Sequence, residues 1–207
     1  MAGLLGVCCL VYLDDLVIFS KDPNDHVGHV ALVLERLRHY GLTLKRSKCT
    51  FAAPRVELLG FVISAQGIIA NPNKVTAIAE LPQPTNAKDV RSFLGMTGYY
   101  RQTVHQYAKI AEPLVALTCK RVQFTWADAQ QNTFTALKDM LLSDSVMAFP
   151  RTDRPYRLYT DASDYACGAI LCQLNDSGTE RVIHFVSHQL AGAQLRWATI
   201  EMEAYAV

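Results

Sequence analysis

The 207-residue sequence has no strong charge of one sign, no run long enough to cross a membrane and no CxxC cysteine pair. The only candidate targeting segment is the uncharged stretch over residues 2–13, whereas a membrane-spanning helix needs about 20 apolar residues. That stretch lacks a basic flank and runs into Asp14 and Asp15 instead of a small-residue cleavage site. We therefore expect a buried strand there, no membrane partner, and a protein that is intracellular and not secreted.

Composition indicates a folded protein. Half of the residues are hydrophobic and 19% are charged, which excludes a disordered chain. The six cysteines are too sparse for a disulfide scaffold, and we expect small buried side chains in a reducing compartment. Twenty Lys and Arg against nineteen Asp and Glu give no bulk signal for nucleic acid. Six basic residues lie between positions 35 and 55: Arg36, Arg38, Lys45, Arg46, Lys48 and Arg55. They form either a phosphate-binding face or a solvated surface.

Apolar spacing predicts an α/β protein. Two short apolar runs flank Asp14 and Asp15 as a hairpin, and a helix then ends at Gly41. Short strands are predicted over 42–44 and 50–52, and a second hairpin over 56–69. Helices follow over 71–118, with Asn71 and Thr85 as caps, and over 128–142. Three strands and a helix from about Thr199 complete the chain, which stops within that helix and so indicates a truncated domain.

The sequence Tyr12-Leu13-Asp14-Asp15 places two acids side by side between apolar strands. Adjacent strand residues point to opposite faces, so both carboxylates can serve one site only at a turn. Such a tip offers the oxygen ligands that Mg²⁺ prefers, and a pair of ions is the usual device for phosphoryl transfer. An ordinary acidic turn is the alternative. A separate HxxH pattern, His26 and His29, lacks the further ligands of a zinc site and indicates helix-surface histidines.

Longer segments carry a family resemblance that covers essentially the whole chain in order. Residues 11–20 resemble the YxDD hairpin in the palm of reverse transcriptases. The matching segments continue through the palm helix and turn (29–42), the next strand (48–51), the primer-grip hairpin (58–68), the thumb (93–101 and 111–114), the connection (124–138) and the start of ribonuclease H (159–163). The sequence is thus similar to the reverse transcriptase and ribonuclease H of gypsy-type LTR retrotransposon polyproteins.

This resemblance implies a fold, an activity and partners. The expected fold is α/β, with a partial palm over 1–70, a helical thumb over 71–118, a connection over 119–154 and the first part of an RNase H-like mixed sheet over 155–207. The parent protein would be an RNA-directed DNA polymerase with ribonuclease H. It would use Mg²⁺, or alternatively Mn²⁺, and act on deoxynucleoside triphosphates (dNTPs), primer–template and RNA–DNA hybrid. Cytoplasm, virus-like particle and nucleus are the expected locations; the sequence carries no signal for an oligomeric state.

The resemblance also assigns residues to the polymerase part. Asp14 would be a catalytic metal ligand, Asp15 would support the same metal site, and Tyr12 would pack near the primer terminus. The primer grip and the thumb would contact nucleic acid through Leu59, Gly60, Phe61, Lys88, Arg91 and Arg101; the three thumb residues resemble positions that follow the minor groove of a primer–template.

The ribonuclease H site would use Asp161, at the end of a strand, and Glu203, in the last helix. Helical spacing predicts an inward stripe of Ile200, Ala204 and Val207, with Glu203 beside it and Glu201 rotated by about 160° from Glu203. The resemblance selects the same two acids as catalytic metal ligands. Asp164 is predicted to be a turn residue.

Each metal site needs further acids that the family places outside these 207 residues. A polymerase Asp would precede the first hairpin, and two nuclease acids would follow Val207. We therefore expect the chain alone to be inactive. The rival hypotheses are a non-catalytic nucleic-acid-binding remnant, whose hybrid binding would ignore loss of Asp14 or Asp161, and a gene-model fragment without a cellular role.

Overall fold

The computed structural model describes residues 3–120, 122–143 and 145–207, so Ala2 of the predicted first strand lies outside the described residues. The chain divides into two compact units, Met1–Ala53 and Pro54–Val207. Within the described residues the fold is mixed α/β, as predicted, with six α-helices and three small antiparallel sheets. No helix in these ranges is long and apolar enough to cross a membrane.

The first unit is a hairpin packed on one helix. Strands β1 (Cys9–Tyr12) and β2 (Asp15–Ile18) pair antiparallel, and helix α1 (Pro23–His39) follows. Buried Cys8, Cys9, Val33 and Leu37 form the core between hairpin and helix. The predicted hairpin and helix are therefore confirmed. The buried strand expected over residues 2–13 is wrong in both length and burial, because β1 covers only Cys9–Tyr12 and Leu10, Val11 and Tyr12 are exposed.

The histidines at the start of α1 fasten the end of the hairpin. The Ser20 hydroxyl lies 3.0 Å from His26 Nδ1 and 2.7 Å from His29 Nδ1, so both rings share one hydroxyl. This contact gives His26 and His29 a structural role at the junction of strand and helix.

The predicted strands over 42–44 and 50–52 are wrong. The described segment after α1 has a single short 3₁₀ turn, Arg46–Lys48, and extended residues on either side. A strand needs a partner for its backbone hydrogen bonds, and among residues 3–53 this segment has no partner strand. Leu42 and Leu44 are accordingly about half exposed.

The second unit begins with a three-stranded meander, β3 (Arg55–Leu58), β4 (Phe61–Ser64) and β5 (Gly67–Ala70). The predicted hairpin is present, but its first arm, residues 56–64, is divided into β3 and β4 at residues 59–60, so three strands occur where two were expected. Residue Ile68 exchanges backbone hydrogen bonds of 2.8 and 2.9 Å with Met147, far along the chain. This close approach requires glycine at position 67, because a Cβ there would lie 2.2 Å from the Met147 carbonyl oxygen.

Four helices pack against the meander: α2 (Pro72–Ala79), α3 (Ala87–Tyr99), α4 (Tyr107–Ala116) and α5 (Asp128–Leu142). Asn71 caps α2 as predicted, by accepting a hydrogen bond from the backbone of Asn73. The cap of α3 is Asn86, not Thr85, because the Asn86 amide oxygen reaches the backbone N–H groups of both Lys88 and Asp89. Thr85 instead donates to the Asp89 carboxylate.

These helices share one core with the meander. Phe93 of α3 and Phe134 of α5 meet with ring centroids 4.6 Å apart, and Leu114 and Leu137 are fully buried. Phe61 and Ala70 of the meander pack against the same core. The packing therefore joins residues that the resemblance assigns to palm, thumb and connection, while that four-part division remains a prediction.

The last sheet contains β6 (Arg157–Ala162), β7 (Ala166–Leu174) and β8 (Glu180–Gln189) in that order, and helix α6 (Thr199–Ala206) follows. All three predicted strands and the helix are confirmed. Helix α6 packs on one face, where Met202, Cys167 and Leu190 form a small core. The start of α4 packs on the other face, where the backbone N–H of Ala108 donates to Ser187 Oγ over 2.8 Å.

Candidate functional site

The two acids of the first hairpin lie at its tip. Residues Leu13 and Asp14 form the two-residue turn, and Tyr12 pairs with Asp15 across it. Leu13 has a left-handed backbone, φ 51°, and its side chain is 84% exposed. Asp14 and Asp15 are both exposed, so solvent and any ligand can reach their carboxylates. The hairpin therefore presents two hard oxygen donor groups on a support fixed by α1.

Tyr12 sits beside these acids and is 56% exposed. It is the last residue of β1 and faces Asp15 in the register of the hairpin. An exposed aromatic ring next to paired carboxylates is available to pack against a ligand. Its predicted contact with a primer terminus remains a prediction.

The predicted primer-grip residues Leu59 and Gly60 form a tight turn between β3 and β4, and Phe61 begins β4. Both Leu59 and Gly60 have positive φ, 47° and 73°, which is the geometry of a tight hairpin turn. The Tyr99 hydroxyl donates to the Leu59 carbonyl over 2.7 Å, and Phe61 stacks on the Tyr99 ring at 6.0 Å. A Cβ at position 60 would lie 3.0 Å from the Tyr100 hydroxyl oxygen, which favours glycine there.

The three predicted thumb cations have different surroundings. Lys88 and Arg91 lie three residues apart on α3 and so share a face. The Arg91 guanidinium donates to the Thr118 carbonyl over 3.0 Å, which ties α3 to the end of α4. Arg101 lies after α3; its guanidinium donates to the Ser187 carbonyl of β8 and lies 5.7 Å from the Tyr107 ring centroid. Only Lys88 and Arg91 thus form a pair on one helix face.

Asp161 lies on β6, the edge strand of the last sheet, directly opposite Gly168 of β7. Its neighbour Ala162 packs with Met202 on the α6 face, so alternation along the strand turns Asp161 to the other face. There the Gln106 side-chain amide donates to Asp161 Oδ2 over 3.2 Å. Asp161 is exposed and lines a small crevice with Ser163, Gly168, Ser187, Gln106 and Lys109.

Glu203 lies on α6, which packs against β6 and β7. Burial raises the pKa of the Cys167 thiol, and the nearby Glu203 carboxylate raises it further, which places this acid beside β7. Glu201 instead accepts a hydrogen bond from the Ala198 backbone over 2.8 Å and caps the helix. The structure thus gives Glu201 a capping role and places Glu203 on the α6 face of the sheet, whereas Asp161 is turned to the other face. A metal ion shared by Glu203 and Asp161 remains a prediction.

The predicted inward stripe of α6 is wrong. Ile200 and Val207 are 78% and 87% exposed, and Ala204 is exposed as well. The helix instead buries Met202 and packs Ala206 against the same core. Spacing alone did not separate the two faces because apolar residues occur on both sides of this short helix.

Gln106 is the residue near Asp161 that sequence analysis missed. It precedes α4 and has a left-handed backbone, φ 53° and ψ 34°, which is uncommon for a residue other than glycine. It is separated from Asp161 by 55 positions. No local motif marks either feature, and a glutamine in a polar segment carries no signal of its own.

The donor atoms at both acidic positions suit a hard cation, since carboxylate oxygens are the preferred ligands of Mg²⁺ and Mn²⁺. Within the described ranges no three His, Cys, Asp or Glu side chains come together as a metal cluster. The described residues therefore supply partial ligand sets, with Asp14 and Asp15 in one unit and Asp161 and Glu203 in the other.

Comparisons with known proteins agree on a family. The model of the family described as reverse transcriptase (RNA-dependent DNA polymerase) matches residues 2–63. The model described as an RNase H-like domain found in reverse transcriptase matches residues 126–207. The chain is 39% identical to the retrovirus-related Pol polyprotein from transposon opus and 34% identical to that from transposon gypsy, both of Drosophila melanogaster. Each alignment covers 98% of this chain, which spans only about a fifth (21% and 20%) of those relatives.

Solved structures share the fold. A foamy viral protease-reverse transcriptase in complex with double-stranded DNA aligns over 99% of this chain and 36% of its own, with a TM-score of 0.81 and 20% identity. A foamy viral protease-reverse transcriptase in complex with RNA/DNA hybrid aligns over 96% of this chain and 27% of its own, with a TM-score of 0.80 and 20% identity.

Proposed function

Because this chain belongs to the reverse transcriptase and ribonuclease H family of gypsy-type LTR retrotransposon Pol polyproteins, we propose that it supplies part of both metal sites of such an enzyme. Enzymes of this family use divalent metal ions. Here Asp14 and Asp15 hold Mg²⁺ for nucleotidyl transfer from dNTPs, and Asp161 and Glu203 hold Mg²⁺ for cleavage of the RNA strand in a hybrid. Mn²⁺ can take the same oxygen ligands.

One observation carries the polymerase part of this proposal. The paired acids lie exposed at the tip of a two-residue hairpin turn, within the segment that matches the reverse transcriptase family. A bound divalent ion would neutralise charge on phosphate oxygens and activate the attacking oxygen. The chain's own contribution is to fix the two carboxylates: the hairpin is anchored by Cys8 and Cys9 on α1 and by Ser20 on two histidines.

Nucleic acid is the proposed partner. The solved relatives hold double-stranded DNA or RNA/DNA hybrid, and the fold of this chain is the same. We propose that Lys88 and Arg91, which share one face of α3, contact phosphates, and that the Leu59–Gly60 turn, held by the Tyr99 hydroxyl, supports a primer strand. We also propose an intracellular location, in cytoplasm, virus-like particle or nucleus, because the chain's relatives are transposon polyproteins and its six cysteines are free.

Paramagnetic broadening of backbone amide signals by Mn²⁺ tests the metal sites in the 207-residue chain. We expect broadening around residues 12–16 and around 160–169 in the native chain. Asp14→Asn should abolish the first and Asp161→Asn the second. The matched controls change exposed acids: Asp25→Asn lies in the same unit as the first site, and Asp164→Asn lies three residues from Asp161. Both variants should leave the broadening intact.

Binding of a fluorescent RNA–DNA hybrid over a salt series tests the rival hypothesis. A non-catalytic remnant would bind hybrid with a steep salt dependence and show no difference in Asp14→Asn or Asp161→Asn, with or without divalent ion. Broadening that persists in both variants would likewise contradict the proposed metal sites. Loss of divalent-dependent hybrid binding in Asp161→Asn would exclude the remnant.

A further inference from the structure

We propose that Tyr99, the last residue of α3, positions the Leu59–Gly60 turn for its contact with a primer strand. The proposal rests on the function proposed above for that turn. It adds to the contact a residue that lies 40 positions further along the chain and outside both segments matched by the family models. The observation behind it is the hydrogen bond from the Tyr99 hydroxyl to the Leu59 carbonyl oxygen, 2.7 Å long.

The Leu59–Gly60 turn is strained at its first residue. Leu58 pairs with Phe61, so Leu59 and Gly60 are the two central residues of the hairpin turn, and both have positive φ. Glycine adopts this conformation without cost, but the Cβ of leucine opposes it. Asparagine and aspartate, which tolerate such a position, can hydrogen-bond to the local backbone, and leucine cannot. A strained turn of this kind persists only where the surrounding structure determines it.

Two neighbouring elements hold the turn by its carbonyl groups. The Leu59 carbonyl accepts the hydrogen bond from Tyr99 at the end of α3. The Gly60 carbonyl accepts one of 2.9 Å from the backbone N–H of Asn71, directly before α2. Any residue except proline at position 71 would keep the second bond, whereas the first depends on a tyrosine hydroxyl. Tyr99 is therefore the side chain that fixes the carbonyl of the strained residue.

The two tyrosines beside the turn have different surroundings. Tyr100 is 4% exposed and belongs to the core, whereas Tyr99 is 53% exposed. The Tyr99 ring stacks on Phe61 at 6.0 Å, and a Cβ at position 60 would lie 3.1 Å from the Tyr99 Cε1 atom. Tyr99 thus covers the glycine of the turn, while about half of its own surface stays open to a ligand.

Helix α3 joins the turn to a proposed phosphate contact. Lys88 and Tyr99 both lie on this helix and are exposed. Their separation in sequence corresponds to about 16 Å along the helix and to about 20° around its axis. The bond from Tyr99 therefore fixes the distance between the turn and Lys88, so that one helix sets the spacing of two contacts along a nucleic acid strand.

The variant Tyr99→Phe removes the hydroxyl and keeps the ring against Phe61. Its test is a primer–template duplex with a photoreactive nucleotide at the primer 3′ end, bound to the 207-residue chain at low salt, with crosslinked peptides identified by mass spectrometry. We expect the native chain to crosslink at residues 58–61. The yield there should fall about fivefold in Tyr99→Phe, because losing one hydrogen bond of ordinary strength releases the turn. The affinity for the duplex should stay at the native value, since the phosphate contacts remain.

The melting temperature separates positioning from folding. A purely structural role would lower the melting temperature of Tyr99→Phe and leave the crosslink of the folded chain unchanged. Tyr156→Phe removes the hydroxyl of another exposed tyrosine in the same unit; it is the matched control and should crosslink like the native chain.

Two outcomes would contradict different parts of the argument. Undiminished crosslinking at residues 58–61 in Tyr99→Phe would overturn the assignment of Tyr99. Absence of that crosslink in the native chain would instead overturn the proposed primer contact of the turn, so the two failures are distinguishable.

Discussion

Leu137 lies at the centre of the core that joins the meander to helices α2–α5, and truncating it tests that shared core. Its side chain is fully buried, so Leu137→Ala removes three buried carbon groups, worth about 2.4 kcal/mol at about 0.8 kcal/mol each. The cavity left behind adds about 1 kcal/mol because the surrounding helices relax only in part. The free energy of unfolding of the Pro54–Val207 unit should therefore fall by about 3 kcal/mol.

Urea unfolding followed by tryptophan fluorescence measures this loss. Both tryptophans lie in the Pro54–Val207 unit, and Trp126 packs edge-on against Phe134 at 5.8 Å in the same core. A Trp197→Phe background makes Trp126 the sole reporter. For a slope of about 2 kcal/mol per molar urea, the midpoint should shift by about 1.5 M.

Leu142→Ala is the matched control, since Leu142 lies on the same helix and is 48% exposed. It should cost less than about 1 kcal/mol. Equal losses for the two variants, or a loss below about 1 kcal/mol for Leu137→Ala, would refute the shared core as described.

Three further predictions concern the helical module. Asn86→Ala removes the acceptor for two backbone N–H groups at the start of α3 and should cost about 1 kcal/mol in urea unfolding, with Lys88→Ala nearly neutral; the reverse order would contradict the cap. Tyr107→Phe removes the hydrogen bond between the Tyr107 hydroxyl and Thr97 Oγ1 and should lower the free energy of unfolding by about 1 kcal/mol; the loss is no larger because Thr97 keeps its bond to the Phe93 carbonyl. Hydrogen bonds from the Thr85 backbone and hydroxyl lower the pKa of Asp89 below 3.8. The ionised Asp89 therefore stabilises the folded chain at neutral pH, and this stabilisation is lost as the pH falls through the lowered pKa. The melting temperature of Asp89→Asn should be below the native value at pH 7 and converge with it in acid; a constant difference at all pH values would contradict this assignment.

Local signals gave the parts of the fold that depend on local chemistry. The apolar spacing over Asp128–Leu142 predicted α5 with its observed bounds, and the acids between two apolar runs predicted the first hairpin. The strand predicted over 42–44 is absent because a strand forms only when a second strand pairs with it, and the local sequence gives no information on such a partner. The inward stripe predicted for α6 was wrong because Met202 is buried by its packing against Cys167 of the sheet, which the spacing within the helix does not reveal.

The candidate site was predicted to a similar extent. The family resemblance selected Asp14, Asp15, Asp161 and Glu203, and the structure places the first pair at an exposed tip. It could not select Gln106, whose contact with Asp161 depends on a left-handed backbone and on the docking of the α4 start against β8. Both are tertiary features with no counterpart in neighbouring residues.

The placement of α5 has a consequence for how the chain could be divided. The RNase H-like match begins at Trp126 and therefore includes α5. Nevertheless Phe134, Leu137 and Leu141 of α5 belong to the same core as α2–α4, which precede that match. Cleavage of the backbone between α4 and Trp126 would break the covalent link but would leave the side chains of α5 packed in the shared core. Two fragments produced separately are therefore expected to associate, as in fragment complementation. Proteolytic cleavage at this point would give two polypeptides that stay bound to each other.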